Sequence, residues 1–460
     1  MTTSYKVKFW EIRTNTKPQD TGKKSRIVSH TVRWTVGNRE KSSTFKTKGL
    51  AESFLSSLRQ AAKNGEAFDL ESGLPSSMVK AKDARTWYSL AIAYVHAWWP
   101  HAAAKTREGM TDSLAYITPV LVNDLPGRPD DEDIRRALLE YSFVPEDRRP
   151  VPTSGLLRVV RWLEAASLPL SAMEEPKHTR TALEAISRRL DGKAAAASTY
   201  RRKRAVFHHV LEYAVELGEL PANPIHKVKF RKVKTGGEID RRSVVNPEQA
   251  RQLLIAVTYA GRTRGQMMAA MFACMYFAGL RPAEAAGLRK ANCDLPETGW
   301  GALTLEKTRP ESNKRYTDSG ESNDERGLKH RGEKATRRVP ISPELVAILR
   351  DHIDRYGVAE DGRLFRTRTG QTFPGSTVSM VWKQARSYAF TPDQVASPLA
   401  RRPYDLRHAA VSLWLNAGVH APEVAERAGH GVDVLLKVYA KCIDGQHEAA
   451  NKRILEALTT

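Results

Sequence analysis

The longest unbroken apolar run in the chain is Met267–Leu280, which is fourteen residues long. A helix needs about 20 apolar residues to cross a membrane, so a run of this length predicts a helix buried in a protein core. Gly279 is placed to end that helix. An earlier helix is predicted to begin at Asn246, with Pro247 in its first turn and Gln249 completing a capping box. These signals predict a helical core in the last part of the chain.

The net charge indicates what kind of partner the chain binds. Its 460 residues contain 73 Lys and Arg against 52 Asp and Glu, a surplus of +21, and the sequence pI is about 9.8. With 41% hydrophobic and 27% charged residues, the composition is that of a soluble globular protein. The length suggests roughly three domains of about 150 residues each. A surplus of this size predicts a polyanionic partner, either nucleic acid or an acidic membrane surface.

The surplus is concentrated in two stretches. Residues 1–50 carry 12 Lys and Arg against 3 Asp and Glu, a net +9, and residues 201–234 carry 9 against 3, a net +6. One such run would be an ordinary solvated face. Two runs, the first with Phe9, Trp10 and Trp34 among its charges, favour nucleic acid. Neither stretch has the wide apolar face of a membrane-binding helix, so no membrane partner is expected.

Other features exclude several classes of protein. Cys274, Cys293 and Cys442 are far apart in the sequence, which fits a reducing compartment and provides neither a zinc nor a disulfide pattern. The sequence shows no Gly-rich phosphate loop and no secretory signal at its N-terminus. We therefore expect a cytoplasmic protein, located at the nucleoid, that uses no metal ion and no cofactor.

Hydrophobic periodicity predicts a multidomain fold that is mainly α with small β parts. Residues 5–47 alternate as strands do, and a helix is expected over Leu50–Ala62. Further along, a polar insertion, Arg309–Gly327, precedes a predicted hairpin over 328–341. The expected parts are a basic β-rich domain at 1–66, a linker at 67–85, a helical domain at 86–229, a basic linker at 230–244, an α+β domain at 245–445 and a tail helix at 446–460.

Arg281 stands between a helix-ending glycine and a helix-starting proline. It is therefore expected at a helix N-terminus, where free backbone N–H groups favour an anion. Glu284 lies one turn later on the same face and can hold the guanidinium group in place. In isolation this pair would be an ordinary helix-terminal salt bridge.

Further polar groups follow toward the C-terminus. Arg407 is one turn from Tyr404 on one helix face. His430 follows a helix-stopping glycine, and Tyr439 lies nine residues later on a short predicted helix. Each has an ordinary explanation in isolation, since Arg407 could pair with Asp405, His430 could cap a helix and Tyr439 could pack in a core. Their joint order and spacing favour a shared function.

The order and spacing of these residues resemble those of the tyrosine recombinases, the phage integrase family. The family motif G-L-R-x-x-E is matched at 279–284, and the G-H motif at 429–430. The motif H-x-L-R-H corresponds to residues 404–408, and Tyr439 follows at the interval of the family's nucleophile. The resemblance covers about 245–445, roughly half of the chain.

This resemblance implies the breakage and rejoining of DNA strands. Arg281 and Arg407 would clamp the non-bridging oxygens of a phosphodiester as negative charge builds on them, and His430 would add a hydrogen bond. Tyr439 would be the nucleophile and form a covalent 3′-phosphotyrosyl link to DNA. That link conserves the energy of the phosphodiester, so rejoining needs neither ATP nor a metal ion.

In this family a hairpin lysine protonates the leaving 5′-oxygen. Lys329 is the best match, because LKHR…TRRVPI resembles the family's lysine hairpin running into R-x-V-P. Lys334, in the turn of the same hairpin, is its rival. Lys307 lies in a similar basic segment, but no V-P-I strand follows it, so it is set aside.

One position departs from the family pattern. Tyr404 stands where the family has a histidine. A histidine could accept the nucleophile's proton near neutral pH, whereas an unperturbed tyrosine has a pKa of about 10. We expect Tyr404 to hydrogen-bond the phosphate or to position Arg407, which leaves the proton acceptor for Tyr439 unassigned. His408 is a supporting candidate, although we expect it to pack on the inner face of its helix.

The resemblance also assigns the front of the chain. Residues 86–229 would be a SAM-like helical domain that binds the core DNA site, and residues 1–66 resemble an arm-type DNA-binding domain. The phosphate contacts predicted at the start of one core-binding helix are Arg201, Arg202, Lys203 and Arg204. An arm-binding domain favours an integrase of a phage or another mobile element over a housekeeping recombinase.

The implied partners are double-stranded DNA, at core and arm sites, and further copies of the chain in a homotetramer on synapsed DNA. An accessory DNA-bending or directionality factor is a further expected partner. After Tyr439, an apolar face of Ile454, Leu455 and Leu458 suggests that the tail docks on a neighbouring subunit.

Two other classes of function stay open. A DNA-binding accessory or repressor protein that has lost catalysis would keep the basic surfaces, and Tyr404 favours this class weakly. The intact arginines, His430 and Tyr439 oppose it. A type IB topoisomerase would share the chemistry but would need neither an arm-binding domain nor a tetramer, and the basic N-terminal domain opposes it.

Overall fold

The computed structural model describes residues 3–17, 26–78, 85–229, 239–328, 332, 335–439, 442 and 446–459. The chain forms two compact units. The first consists of Met1–Trp98 and Thr111–Arg231, and the second of Trp99–Met110 and Lys232–Thr460. A short stretch of the helical region therefore belongs to the second unit.

The first unit begins with a small antiparallel sheet whose long central strand pairs with three others. Alternate residues of that strand, Val32, Trp34 and Val36, lie in a core that the following helix closes with Leu55 and Leu58. The predicted strands and helix are confirmed, although the first predicted strand is split in two. The elements are β1 Thr3–Ser4, β2 Val7–Phe9, β3 Arg13–Lys17, β4 Arg26–Val36, β5 Arg39–Phe45, α1 Lys48–Lys63 and β6 Phe68–Asp69.

The rest of the first unit is helical. Its last long helix, Ala197–Glu216, buries Phe207, whose ring packs edge-on against Trp87 at 5.5 Å between centroids. That helix ends just before Gly218, which has a φ of +73°, as the glycine and the prolines after it predict. The helices are α2 Trp87–Trp98, α3 Ala104–Ile117, whose first turns belong to the second unit, α4 Asp131–Ala137, α5 Ser154–Ala166, α6 Pro176–Ser187 and α7 Ala197–Glu216.

The second unit contains most of the helices, a three-stranded sheet and a two-stranded sheet. Its helices are α8 Pro247–Tyr259, α9 Thr263–Phe277, α10 Pro282–Ala286, α11 Pro343–Tyr356, α12 Gly375–Ala389, α13 Pro392–Ala396, α14 Asp405–Asn416, α15 Ala421–Ala428, α16 Val432–Tyr439 and α17 Gln446–Thr459. Its strands are β7 Cys293–Asp294, β8 Gly301–Leu305, β9 Lys307–Thr308, β10 Arg326–Gly327 and β11 Arg337–Ile341.

The apolar run of the sequence forms the centre of the second unit. It lies in α9, which is buried on nearly all sides and contacts α8, α11, α12 and α14. The capping box ahead of it is also formed, since Asn246 Oδ1 accepts the N–H of Gln249 at 2.8 Å and Gln249 Oε1 accepts the N–H of Asn246 at 3.1 Å. The predicted core helix and its neighbour are thus confirmed.

The three-stranded sheet has the order β7-β8-β11 and is antiparallel, and β9 pairs with β10 in the two-stranded sheet. On β11 the side chains of Arg337, Val339 and Ile341 face the buried side, because residues two apart on a strand share a face. The hairpin predicted over 328–341 differs from the structure, since its second half pairs with Gly301–Leu305. Part of its first half lies outside the described residues.

The polar insertion at 309–327 packs against the Trp99–Met110 stretch of the second unit. Arg107 is 3% exposed and donates to the carbonyl oxygen of Tyr316 at 2.9 Å and to Asp318 Oδ1 at 2.7 Å. Its guanidinium group lies over the ring of Trp99, 5.1 Å from the centroid. This buried cation fixes the insertion to a segment some two hundred positions earlier in the sequence.

These elements confirm the predicted fold class, a multidomain and mainly α fold with small sheets. Among the described residues, no helix combines the length and the apolar character needed to span a membrane. The predicted domain bounds and linkers stay predictions, because the division into two compact units does not test them.

Candidate active site

Arg281 is positioned by the break between two helices. After α9, Gly279 adopts a φ of +59°, and a side chain there would place its Cβ 2.8 Å from the ring of Trp414. Arg281 is the N-cap of α10, and Pro282 occupies the first helical position. Glu284 Oε2 accepts the backbone N–H of Arg281 at 2.8 Å, so the predicted helix-terminal arrangement is present.

Glu284 joins the arginines of the site. It is 1% exposed, and its carboxylate accepts Arg281 Nη1 at 2.7 Å and Arg337 Nη1 and Nη2 at 3.0 and 2.7 Å. Arg407 Nη1 lies 3.9 Å from it. Burial favours the neutral acid, but the charges of Arg337, Arg281 and Arg407 outweigh burial and lower the pKa of Glu284 to about 2.

Arg337 is the residue of this cluster that the sequence reasoning missed. It is 2% exposed and grips both oxygens of Glu284 from β11. The signal was present in the strand pattern, because Arg337 occupies the same alternating face as two buried aliphatic residues. An arginine at an inward position of a strand requires a buried anion.

Arg407 lies in the first turn of α14 and is fully buried. Its Nη groups donate to the carbonyl oxygens of Gly279 and Ala428, and Nη2 also contacts His430 Nε2 at 2.9 Å. Burial lowers the pKa of its guanidinium group, although an arginine stays charged at neutral pH. The alternative partner considered from the sequence, Asp405, instead accepts hydrogen bonds from Arg402.

The charges of this cluster do not balance. In the part of the chain that the structure describes, three guanidinium groups lie within 4 Å of one carboxylate, that of Glu284. The Nε of Arg407 is buried there and has no hydrogen-bond partner among the described residues. A buried excess of positive charge is costly unless an anion completes it. The site is therefore built to receive negative charge.

His430 supplies a further donor. Helix α15 ends at Gly429 in the left-handed conformation (φ +64°, ψ +49°), and His430 follows it. Because Arg407 can only donate, Nε2 of His430 accepts their hydrogen bond, and the neutral ring then carries its hydrogen on Nδ1. Burial and the neighbouring arginines lower the pKa of His430 to about 3, which keeps it neutral. Its Nδ1 is buried with no partner among the described residues, so this N–H is left for a ligand.

Tyr439 is the last residue of α16 and is fully buried. Its hydroxyl lies 3.0 Å from Nδ1 of His408, and burial raises the pKa of that hydroxyl. Burial lowers the pKa of His408 to about 4, so its imidazole is uncharged near neutral pH. We expected His408 to pack on the inner helix face. It is half-buried there, and it also contacts the hydroxyl of Tyr439 directly. No proton acceptor for this hydroxyl was assigned from the sequence.

Tyr404 precedes α14, and its ring lies 5.0 Å from that of His408. Together with Arg281 it lines a cavity of 440 Å³ whose walls include Met271, Phe365 and other apolar side chains. Its backbone carbonyl accepts the N–H of Arg407 at 3.0 Å. Tyr404 thus stands at the rim of the cluster, and its expected contact with a phosphate stays a prediction.

The lysines predicted as the general acid are not among the described residues. Lys329 and Lys334 are both outside the described residues, so the choice between them stays open. Lys307 was excluded as the general acid because no V-P-I strand follows it. It forms an ion pair with Glu325 at 2.7 Å. The one carboxylate of the site, Glu284, is held by arginines, and the described residues that could hold a metal ion together lie elsewhere, in the first unit.

The basic segment at the start of α7 requires a correction. Lys203 was predicted to contact DNA, but it is 3% exposed, its Nζ lies 3.3 Å from Asp112 and it sits over the ring of Tyr116. Burial lowers its pKa to about 8, although Asp112 opposes this shift. Lys203 is therefore a core cation, because α7 turns it toward the other helices. Arg201 and Arg202 are exposed and Arg204 is half-buried, so the prediction of DNA contacts is kept for them.

Solved structures with a similar fold are known. Lambda integrase, as a dimer bound to a COC′ core site, has a TM-score of 0.47 and 12% identity, over 91% of this chain and 93% of that chain. The Tn1549 transposon integrase, in complex with a circular intermediate DNA, has a TM-score of 0.47 and 14% identity, over 67% and 96%. The XerH site-specific recombinase bound to difH has a TM-score of 0.42 and 13% identity, over 75% and 93%.

By their names these three proteins are integrases and recombinases, the class that the sequence motifs indicated. No family model and no curated protein matches the chain by sequence. The TM-scores stay below 0.5 and the identities below 25%.

Proposed function

We propose that the chain is a site-specific DNA recombinase that cleaves and rejoins DNA through Tyr439. One observation carries the proposal: a buried excess of guanidinium charge, with Arg407 at its centre, lies beside a tyrosine hydroxyl that contacts an uncharged histidine. The excess of guanidinium charge suits a phosphate, and the tyrosine hydroxyl beside an uncharged histidine suits a nucleophile. These groups come from segments far apart in the sequence, so local helix capping does not explain their meeting.

The proposed first step is the attack of Tyr439 on a DNA phosphodiester. The hydroxyl gives its proton to Nδ1 of His408, a bond forms between the tyrosine oxygen and phosphorus, and the bond from phosphorus to the 5′-oxygen breaks. Arg281 and Arg407 stabilise the charge on the non-bridging oxygens, and the N–H at Nδ1 of His430 adds a hydrogen bond. The leaving 5′-oxygen takes a proton from a lysine, for which Lys329 and Lys334 are the candidates.

The second step is the reverse of the first. A 5′-hydroxyl from another strand gives its proton to the lysine and attacks the phosphorus, the bond from phosphorus to the tyrosine oxygen breaks, and His408 returns its proton to Tyr439. Because the hydroxyl of Tyr439 is fully buried in the structure, attack requires that α16 shift when DNA binds. Val432, Val434 and Leu436 of the same helix are partly exposed.

The remaining parts of the chain are proposed to bind DNA and further subunits. The exposed Arg201 and Arg202 suit phosphate contacts at a core site, and the basic sheet of residues 1–66 suits arm sites. We propose a homotetramer on synapsed DNA, an accessory DNA-bending or directionality factor, and the integration or excision of a phage or mobile element. The exposed Ile454, Leu455 and Leu458 of α17 support docking of the tail on a neighbouring subunit.

A nicked suicide substrate tests the proposed chemistry. It would carry the candidate attachment core taken from DNA flanking the gene, and a covalent protein–DNA adduct would be scored on a denaturing gel. We expect an adduct with the wild type and with the control Tyr388→Phe, an exposed tyrosine of α12, and none with Tyr439→Phe. An adduct formed by Tyr439→Phe would disprove the assigned nucleophile.

DNA-binding and plasmid-relaxation measurements, taken with the adduct assay, separate the alternative functions. Tight DNA binding without an adduct on any cognate duplex would favour the accessory or repressor protein. If the monomer relaxes supercoiled plasmids that lack the attachment core, a type IB topoisomerase is favoured.

For the tail, truncation after Ile443 is expected to abolish synapsis, and intact synapsis and strand exchange would refute its docking role.

A further inference from the structure

The first unit contains a cluster of metal-ligating side chains far in sequence from the active-site motifs. His208 and Glu212 lie one turn apart on α7, and His226 lies on the short 3₁₀ turn Pro224–Lys227 that follows the helix. His208 Nε2 is 3.5 Å and His226 Nε2 is 3.8 Å from Glu212 Oε1. All three ligand atoms lie within 4.8 Å of one another.

We propose that His208, Glu212 and His226 form a binding site for a divalent transition-metal ion, with Zn²⁺ as the best-matched ion. Two imidazoles and one carboxylate are a ligand set that zinc uses with a fourth, open position. Tetrahedral bonds of about 2.0–2.1 Å put ligand atoms about 3.3–3.4 Å apart, close to the two separations observed here. His226 is 66% exposed, so its ring can turn to close the remaining distance.

A second layer of contacts orients the carboxylate. Asn223 is 5% exposed, and its Nδ2 donates to Glu212 Oε1 at 2.7 Å and to the backbone carbonyl of His208 at 3.2 Å. Its Oδ1 accepts the N–H of Ile225 at 3.1 Å, which holds the 3₁₀ turn that carries His226. Asn223 therefore fixes both the carboxylate and the turn, as outer-shell residues of metal sites do.

A bound ion would fasten the end of the first unit. It would connect the middle of α7 to the turn after the helix and close the loop that contains Pro221 and Asn223. Arg204 lies one turn before His208 on the same face of α7, so the ion would also add positive charge beside a proposed phosphate contact. The site itself does not depend on the recombinase proposal, because it needs no DNA.

Zn²⁺ binding to the full chain, treated with chelator and free of DNA, tests the site. Isothermal titration is expected to show one Zn²⁺ per chain, with affinity reduced at least tenfold in His226→Ala and in Glu212→Gln. His209→Gln is the matched control on the same helix, since its ring lies 6.0 Å from that of His208 and it is outside the ligand set. Zn²⁺ is also expected to raise the melting temperature of the wild type and not that of His226→Ala.

Three results would overturn the proposal. Two come from titration: the lack of saturable Zn²⁺ binding by the wild type, or equal affinity in the wild type and both ligand variants. The other comes from Co²⁺ used as a spectroscopic probe, because a sulfur-to-metal charge-transfer band would place the ion on a cysteine. Visible ligand-field bands without that charge-transfer band are expected for nitrogen and oxygen ligands.

Discussion

At the scale of single residues, the proposed site depends on how buried charges are paired. Arg337 and Arg338 are neighbours on one strand, but their roles differ because successive side chains of a strand face opposite ways. Arg337 is buried against Glu284, whereas the side chain of Arg338 is 74% exposed and lies 3.7 Å from an exposed Asp294. The pair thus offers a matched comparison of a buried and a surface ion pair.

Arg337→Ala is expected to lower the free energy of unfolding by about 1.5–3 kcal/mol, because Glu284 loses two charge-assisted hydrogen bonds but keeps Arg281 and Arg407 beside it. Arg338→Ala is expected to change it by less than about 0.5 kcal/mol. Urea denaturation of both variants measures the difference. Equal effects of the two substitutions would mean that the Arg337–Glu284 pair does not stabilise the fold.

His408→Gln is expected to slow adduct formation about 10²-fold or more, because glutamine can hydrogen-bond the hydroxyl of Tyr439 but cannot take its proton. DNA affinity should stay unchanged. Since the pKa of His408 is lowered to about 4, the wild-type rate should not fall between about pH 7.5 and 5.5. Single-turnover cleavage measures both, with the exposed His420→Gln as control. An unchanged rate in His408→Gln would exclude it as the proton acceptor.

At the scale of elements, the end of α15 brings the cluster together. Gly429 has a positive φ, its carbonyl accepts Arg281 Nη2 at 2.7 Å, and a Cβ there would lie 2.2 Å from Arg337 Nη1. Gly218, after α7, also has a positive φ but faces open space. The two glycines therefore share the same backbone constraint and differ in what a methyl group would meet.

Gly218→Ala is expected to cost about 1 kcal/mol, the backbone penalty alone. Gly429→Ala is expected to cost more and to reduce adduct formation, because the methyl group displaces Arg337 and Arg281. Urea midpoints and the suicide-substrate assay measure the two effects. If both variants lost the same stability and both kept full cleavage, the closeness of Arg337 to the backbone of Gly429 would not be needed for function.

The start of α7 gives a second comparison between elements. Arg202 is exposed and Lys203 is buried beside Asp112. If Arg202 contacts a phosphate, Arg202→Ala should reduce the slope of log affinity against log salt by about 0.9, whereas Lys203→Met should leave the slope unchanged. Fluorescence anisotropy with core DNA at several salt concentrations measures both. A reduced slope in Lys203→Met alone would reverse the assignment.

Sequence reasoning succeeded where the determinants are local. The capping box of Asn246, the buried helix α9 and the Arg281–Glu284 pair each depend on residues within one or two turns. It failed or stopped where the partner is distant in sequence. Arg337 was missed because its partner Glu284 is 53 positions away, and Lys203 was assigned to DNA because its charge is visible in the sequence but Asp112 beside it is not.

At the scale of the whole molecule, histidines that are partly or fully buried couple stability to pH. Burial lowers the pKa values of His96, His352, His408 and His430 below the ordinary value of about 6.5. In that case the unfolded chain binds more protons than the folded chain once the pH falls below about 6.5. The stability should therefore decrease as the pH falls from about 6.5 toward 4.

The carboxylates act in a different range. The lowered pKa of Glu284, about 2, stabilises the fold above its unfolded value of about 4.5, and this contribution is lost only as the pH falls from there toward 2. Denaturation midpoints between about pH 7.5 and 5 thus measure the contribution of the histidines to stability without that of Glu284. His430→Gln is expected to flatten the decrease over that range, and an unchanged pH dependence would mean that the pKa of His430 is not lowered in the folded protein.

The sequence separations within the cluster have a consequence for biosynthesis. Arg281 reaches Gly429 across 148 positions, and Arg407 reaches Gly279 across 128. A nascent chain still on the ribosome cannot complete these contacts until the segment beyond Gly429 has emerged, because domains assemble as their residues are translated. A chain that stops before that point lacks the contacts of Arg281 with Gly429 and of Arg407 with Ala428. Long-range assembly thus ties formation of the cluster to translation of its last segment.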